Sequence, residues 1–422
     1  MRKLGHIYLA FGLAAATAAA ADPGQTEQAK AVPANFESNL PFVFLQTTQR
    51  IVSGLRVPCG VRLVLPGHAN AGDADSSSAQ IGFHGASSQG YPKKSFRLIL
   101  DVPAPWLGMP TRRQWVLNAA AVDHSLMRHK LSYDLFRSLS TDGGRRFAAD
   151  SRFVEVNLNG RYQGVYLLME RVDRNLLGLR QFDSNAVSQA CIYKAVDHAA
   201  DFSQPGHWGY EQHEPNPLVR PYWAPLEELN RFVSGAKDRD FFDPEEGIGS
   251  RLDLACVMDF HLLVLLTSNL DGFDKNLMLA RDASTAAVPK PRFFFVPWDY
   301  DATFGRNWEG SRVSPTKWLS NSLFDRLQGS QVYRQQFAAR WKQLCAREFS
   351  VANIERLIDE NARTLGDAVK RNASRWQTLE RSYGNRLSFE EDLRQMKEWV
   401  AARTRWLDAE IAERTGVSAT GR

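Results

Sequence analysis

The chain has 422 residues, of which 44% are hydrophobic and 23% charged, with a formal net charge of +5. That is ordinary globular composition: it excludes a collagen, a coiled coil or a largely disordered chain, and it allows one large domain or two lobes around a cleft. The basic excess is small and carries no dense Lys/Arg block, so nucleic acid is not an expected partner.

The N-terminus reads as a signal peptide over residues 1–21. Met1-Arg2-Lys3 is basic, Ile7 to Ala20 is apolar and small, and Ala18 to Ala21 offers an A-x-A cleavage site before Asp22. The apolar stretch is too short and too rich in Ala to span a bilayer comfortably. Removing it takes away Arg2 and Lys3 and no acid, leaving +3. No other apolar run approaches spanning length, so no membrane span is expected after cleavage. The mature protein is expected to be exported, to a periplasm or to the cell exterior and surface. Residues 22–44 read as a polar linker. Cys59, Cys191, Cys256 and Cys345 are far apart with no C-x-x-C, which argues against zinc. Export permits disulfides, and buried free thiols suit Cys256 and Cys345 equally.

A β-rich region is expected over residues 45–195. Val61, Leu63 and Leu65 alternate, a soft loop follows at Pro66 to Ser78, and Phe96, Leu98 and Leu100 alternate again. Between them lies a glycine-rich segment with Gly82, Gly85, Gly90, Ser87 and Ser88, whose backbone N–H groups suit either a phosphate or a plain turn. Lys93 and Lys94 open the next strand. Trp115 to Asn118 reads as a strand, and a helix follows carrying Leu126, Met127, Leu131, Leu135 and Leu139. Phe153 to Glu170 is the clearest hairpin, its two alternating strands joined by Asn159-Gly160, a pair that tolerates positive φ at both positions.

Residues 196–250 read as an insertion and connecting segment, with a long stretch to Trp223 that has no periodicity. His207 and His213 lie in it without a regular element behind them and are not expected to bind metal. Residues 251–345 begin with a strongly apolar helix to Leu266 that carries His261, a residue better suited to packing than to catalysis. Residues 346–415 read as a C-terminal helical region. Ile354, Leu357, Ile358, Leu365 and Val369 fall at helical spacing, Ser388 and Glu391 form a capping box, and Trp399 and Trp406 share a face.

The chemistry concentrates after the apolar helix. Asp271 and Asn276 lie in S-N-L-D-G-F-D-K-N, and Asp299 and Asp301 follow the apolar run Phe293 to Pro297. Both motifs fall where buried elements open into loops. An Asp, an Asn five positions later and an Asp at the end of a later strand match the kinase division of labour. The first Asp orients and deprotonates the acceptor hydroxyl, while the Asn and the second Asp hold metal on the phosphates.

The string His84-Gly-Ala-Ser-Ser-Gln-Gly-Tyr-Pro-Lys-Lys-Ser-Phe-Arg resembles the R-G-N-S-S…P-K-K-S-Y-R segment of the CotH kinase family of spore-coat proteins. Three further stretches resemble it in the same order: Asp123-His-Ser-Leu-Met-Arg128, Val156 to Tyr166, and Asp271…Asn276 followed by Trp298-Asp-Tyr-Asp301. Asn372…Trp376 in the C-terminal helices is also similar. The resemblance implies an α+β, atypical protein-kinase-like two-lobed fold with a β-rich N-lobe, a mainly helical C-lobe and C-terminal helices. It implies an exported kinase using ATP and Mg²⁺ or Mn²⁺ on a protein substrate. Asp271 would be the catalytic residue, and Asn276 and Asp299, with Asp301 in competition, the metal ligands. Lys93 or Lys94 would contact phosphates beside Gly85, Ser87 and Ser88. Glu170, ending the hairpin, would sit at a hinge beside the base. The sequence departs from the family pattern at His84 and Ala86, where Arg and Asn are usual. Two other classes fit the residues: a non-catalytic, pseudokinase-like binding module, and a metal-dependent hydrolase on Asp271, Asp299 and Asp301. The hydrolase is disfavoured because no His follows His261.

Overall fold

The computed structural model describes residues 38–67, 75–141, 144–181, 183, 188–377 and 387–416. The signal peptide and the linker up to residue 37 lie outside the described residues.

Seven strands close on themselves: β1 (Phe42–Gln46), β2 (Val57–Val64), β3 (Asp75–Phe83), β4 (Phe96–Ala104), β5 (Arg112–Asn118), β6 (Ser151–Leu158) and β7 (Arg161–Glu170), in the order β1-β2-β3-β4-β5-β7-β6. Period-two alternation builds each wall; along β2, Val57, Cys59, Val61 and Leu63 are buried while Pro58 and Gly60 are exposed. These side chains meet Leu98, Trp115, Val156, Tyr166 and Leu168 in a core that fills the barrel. The β6–β7 hairpin turns at Asn159 (φ 52°) and Gly160 (φ 79°), as the Asn-Gly pair predicts. Closure comes from a parallel β1–β6 pairing, which puts Val43 beside Val156. No local pattern announces a pairing between segments so far apart.

After the barrel, β8 (Cys191–Ala195), β9 (Tyr210–Glu214), β10 (Leu277–Arg281) and β11 (Phe294–Pro297) form a second sheet in the order β11-β10-β8-β9. β8 lies within the stretch the sequence assigns to the β-rich region, yet it pairs with strands of the later half. β9 lies inside the stretch that the sequence presents as irregular; it is a short edge strand, too short for its alternation to stand out.

The helices are α1 (Arg128–Ser138), α2 (Arg174–Leu177), α3 (Ala224–Gly235), α4 (Asp238–Phe241), α5 (Leu254–Thr267), α6 (Ser322–Gln328), α7 (Gln331–Cys345), α8 (Val351–Leu365), α9 (Ala368–Arg375) and α10 (Phe389–Thr415). The chain is thus α+β, with a β-rich N-terminal region and a helical C-terminal region. α5 is buried from Cys256 to Thr267, so it forms the centre of the larger core, with β11 packed on it. α10 starts with the Ser388–Glu391 capping box in full. All four cysteines are free thiols; burial pushes Cys59 and Cys191 up to about 11 and Cys256 to about 12. Among the described residues no helix is long and apolar enough to cross a membrane.

Candidate functional site

β10 and β11 run antiparallel with Leu277 opposite Pro297, so the start of one strand lies beside the end of the other. The segment that enters β10, Asp271 to Asn276, is therefore brought against the segment that leaves β11, Trp298 to Asp301. α5 ends at Ser268 in the left-handed region (φ 51°) and turns the chain directly into the first of these segments. The backbone N–H groups of Lys275 and Asn276 both donate to the Asp271 carbonyl, at 2.9 and 2.8 Å, which folds the loop into a tight turn.

Asn276 joins the two motifs. Its backbone carbonyl accepts from the Trp298 N–H at 3.2 Å, and its side-chain nitrogen donates to the Asp299 carbonyl at 3.1 Å. Asn269 donates to the same carbonyl at 3.1 Å. The Asp299 N–H donates to the Tyr133 hydroxyl at 3.1 Å, and the residue has φ 56°, a conformation that Asp tolerates better than most residues. Its backbone is thus fixed from both sides, while its carboxylate stays half exposed (51%).

That carboxylate lies 3.5 Å from His129 Nε2 on α1. Desolvation would raise the Asp299 carboxyl, but the hydrogen bond and charge of His129, with Lys194 and His84 behind them, hold it below the usual aspartate value. Burial would lower the imidazole of His129, yet the bond to Asp299 and the fields of Asp301, Asp299 and Asp123 outweigh it and raise it. Asp301 differs from its neighbour: burial first, and then the charge of Asp299, push it up to about 7. Asp271 is mostly buried, its side chain 17% exposed, with Lys275 Nζ at 4.0 Å.

The barrel contributes the opposite side. After β3 the His84 ring meets Trp298 edge-on at 6.2 Å, so the glycine segment faces the second motif. Gly85 has φ 90°, and a Cβ there would come within 1.9 Å of Ser88 Oγ; only glycine allows the turn from Ser87 to Gly90 that follows. Lys194 on β8 lies over the Trp298 ring at 4.9 Å and completes this wall.

Three sequence candidates are engaged elsewhere. Lys93 is 2% exposed, and its ammonium donates to the Val165 carbonyl at 2.5 Å and to Asn372 Oδ1 at 2.9 Å. Lys94 donates to the Gln89 carbonyl at 2.5 Å. The Glu170 carboxylate takes Arg112 Nε at 2.8 Å and the Asp150 N–H at 3.1 Å. His207 stacks on Trp223 at 4.2 Å and bonds Glu227, and His261 is packed face-on against Phe324 at 4.1 Å.

Sequence reasoning missed Asn269, His129, Tyr133 and Lys194. The first lay two positions before Asp271, within the motif, and an amide there was a usable signal. The other three come from distant elements whose contact only the fold creates.

The donor set suits a hard divalent cation. Asn276 uses its side-chain nitrogen on the Asp299 carbonyl and so keeps its oxygen, and Asp299 offers an ionised, half-exposed carboxylate. Among the described residues no group of three or more His, Cys, Asp or Glu converges as a closed metal cage. Magnesium sites that borrow ligands from substrate phosphates are of the open kind.

The inner spore coat protein H of Bacillus subtilis (strain 168) is 31% identical over 248 residues, which cover 56% of this chain and 61% of that protein. The chain therefore matches somewhat less than two thirds of that relative's length. The family described as "CotH kinase protein" matches residues 81–407, from within β3 to well inside α10. That span takes in every residue assembled around Asp299, and the chain belongs to the CotH kinase family.

Proposed function

We propose that the protein is an exported atypical protein kinase that transfers the γ-phosphate of ATP to a protein acceptor with the help of Mg²⁺ or Mn²⁺. The barrel acts as the N-lobe and the helical region as the C-lobe of a two-lobed, kinase-like architecture. The observation that carries this reading is the tie through Asn276, which joins Asp271 and Asp299 across the ends of an antiparallel strand pair. Phosphoryl transfer asks little covalent chemistry of a protein; it asks for positioning and for charge cancellation.

In this reading Asp271 accepts the proton of the acceptor hydroxyl. Asn276 and Asp299 hold the cation, which when bound screens the charge on the phosphates. Asp299 is the ligand in preference to Asp301, because the field of His129 keeps it ionised whereas Asp301 is pushed towards neutrality. The glycine segment from Gly85 through Ser87 and Ser88 covers the nucleotide. Lys93, Lys94 and Glu170 support that cover from within, since their charged groups are taken up by protein partners. Export rests on the basic and apolar N-terminus, and the coat location named for the Bacillus relative agrees with a surface setting.

The test is transfer of labelled γ-phosphate from ATP with either metal. Asp271→Ala should retain nucleotide binding and lose at least about 10²-fold in transfer, the usual range for a proton-accepting group. Asp299→Ala should remove the metal dependence of ATP binding. Transfer by Asp271→Ala at the wild-type rate would move the base elsewhere. The binding-module alternative draws on His84, which burial and nearby cations push down to about 4, so that no fixed cation stands there at neutral pH. It predicts no thermal shift with ATP and either metal.

A further inference from the structure

Several interior guanidinium groups of this protein sit on carboxylates, while the buried Arg403 is taken up by the carbonyls of Leu265, Pro315 and Lys317. Arg128 bonds Asp123 and Asp392, and Arg146 and Arg340 bond Asp259. Arg97 on β4, Arg171 just past β7 and Lys194 on β8 differ. Among the described residues none of the three has a carboxylate within ion-pair distance. Arg97 Nε and Arg171 Nη1 instead donate to one and the same acceptor, Gln114 Oε1, at 3.1 and 2.9 Å. The two guanidinium groups are thereby gathered on a single amide oxygen. Lys194, over Trp298, extends the group to the edge of the Asp299 motif.

Two further groups mark where these cations converge. His84 is driven down to about 4 by burial and then by Lys194, Arg97 and Arg171, and His213 to about 4 by burial and then by Arg171, Lys194 and Arg97. Arg97 is the register partner of Gly82, two residues before His84, and the His84 ring meets Trp298, over which Lys194 lies, so β4 and β8 bring these cations to one neighbourhood. The His213 Nδ1 is buried and has no partner. Asp173, Glu214, Glu211 and Asp299 contribute opposing fields, but none of them bonds the three cations. Like charges gathered at close quarters around a neutral amide form a site that an anion would complete.

We propose that Arg97, Arg171 and Lys194 form the seat for the polyphosphate tail of the nucleotide, the role for which Lys93 and Lys94 are not free. Guanidinium forks match phosphate oxygens in pairs, and an ammonium supplies a point charge at the end nearest Asp299. Gln114 holds the two forks in register until the anion arrives. The assignment rests on the nucleotide-dependent reading for its ligand, while the seat itself requires only a multiply charged phosphate.

The test is calorimetric binding of inorganic tripolyphosphate and of ATP to the mature protein, in EDTA and in Mg²⁺, with R97Q, R171Q, K194M and D299A. In EDTA the wild type should bind both ligands, less tightly as salt rises. Each cation variant should weaken both by about tenfold or more, the scale of one charge-assisted phosphate contact, with D299A unchanged. K194M alters a half-buried rim residue and reads the seat even where an arginine variant fails to fold. Unaltered ATP affinity in the folded variants overturns the seat and leaves the nucleotide reading intact, as does ATP binding in Mg²⁺ with none in EDTA. Binding of tripolyphosphate without ATP in either condition supports the seat and overturns the nucleotide reading. Variants that bind both ligands normally and lose only an acidic acceptor peptide would reassign the cluster to the protein substrate.

Discussion

Lys93 illustrates how burial changes the role of a residue picked out by a motif. Its position before a strand matches a phosphate-binding lysine, yet its amine is enclosed by the Val165 carbonyl, Asn372 Oδ1 and the face of Tyr166 at 4.9 Å. Desolvation pushes it from 10.5 down to about 7, with only Asp123 opposing. The sign of the consequence follows. Below about pH 7 both folded and unfolded chains carry the proton, and above 10.5 neither does. Between those limits the unfolded chain binds a proton that the folded chain lacks, so this contribution to stability is complete above 10.5 and disappears as pH falls to about 7. Relative to Lys93→Met, the wild type should gain stability from about pH 7 to 9, at up to about 1.4 kcal/mol per pH unit. Urea unfolding of both proteins across that range measures it. A constant difference between them would mean that the lysine is not desolvated as its contacts imply. At this scale the sequence displayed Asp271 with Asn276 in one motif and Asp299 in another, because each motif carries its own local pattern, and the fold brings the two motifs together. The companions His129 and Lys194 were invisible, since nothing local to α1 or β8 refers to a loop more than a hundred residues away.

Elements with a strong local pattern were legible. The β6–β7 hairpin, the apolar α5 and the capped start of α10 follow from period, run length and end chemistry. The docking of α9 on β7 was not, although both partners were visible as motifs. Asn372 accepts from the Val165 N–H at 3.1 Å as well as from Lys93, Arg375 donates to the Tyr162 carbonyl at 2.9 Å, and Trp376 donates to the Gln163 carbonyl at 2.8 Å. The helix end thus bonds strand positions 162, 163 and 165, and the strand must let it approach. Gly164 provides the room: it has φ 90°, and a Cβ there would lie 2.4 Å from Asn372 Oδ1 and 3.0 Å from Trp376 Nε1. Gly164→Ala should therefore combine backbone strain with displacement of α9, at a cost of about 2–4 kcal/mol. A urea midpoint and Trp fluorescence would record it. A midpoint equal to wild type would show that α9 shifts freely and contributes little to holding the barrel.

Across the whole molecule, the loop after Asp301 is held by a buried charge network rather than by apolar packing alone. Arg128, at the start of α1, donates through Nε to the Thr303 carbonyl at 2.9 Å and through both terminal nitrogens to Asp392 at 3.0 and 3.1 Å. Arg306 reaches the same Asp392 at 3.0 Å. One carboxylate at the start of α10 thus ties the helical end of the chain to α1 and to the segment that follows the candidate metal ligands. Burial would raise Asp392, but the two arginines hold it below the usual value, so it stays ionised. Removing one partner of such a network leaves the others buried without compensation, at about 3–5 kcal/mol, whereas an exposed pair is worth at most about 1. Asp392→Ala should show the larger loss, and Asp359→Ala, which breaks the exposed Asp359–Lys397 pair, the smaller one. The decisive readout is functional. If the network positions the Asp299 loop, Asp392→Ala should reduce metal-dependent ATP binding at temperatures where it remains folded, while Asp359→Ala should not. Equal nucleotide affinity in the two folded variants would confine Asp392 to stability and leave the orientation of Asp299 to Asn269, Asn276 and Tyr133 alone.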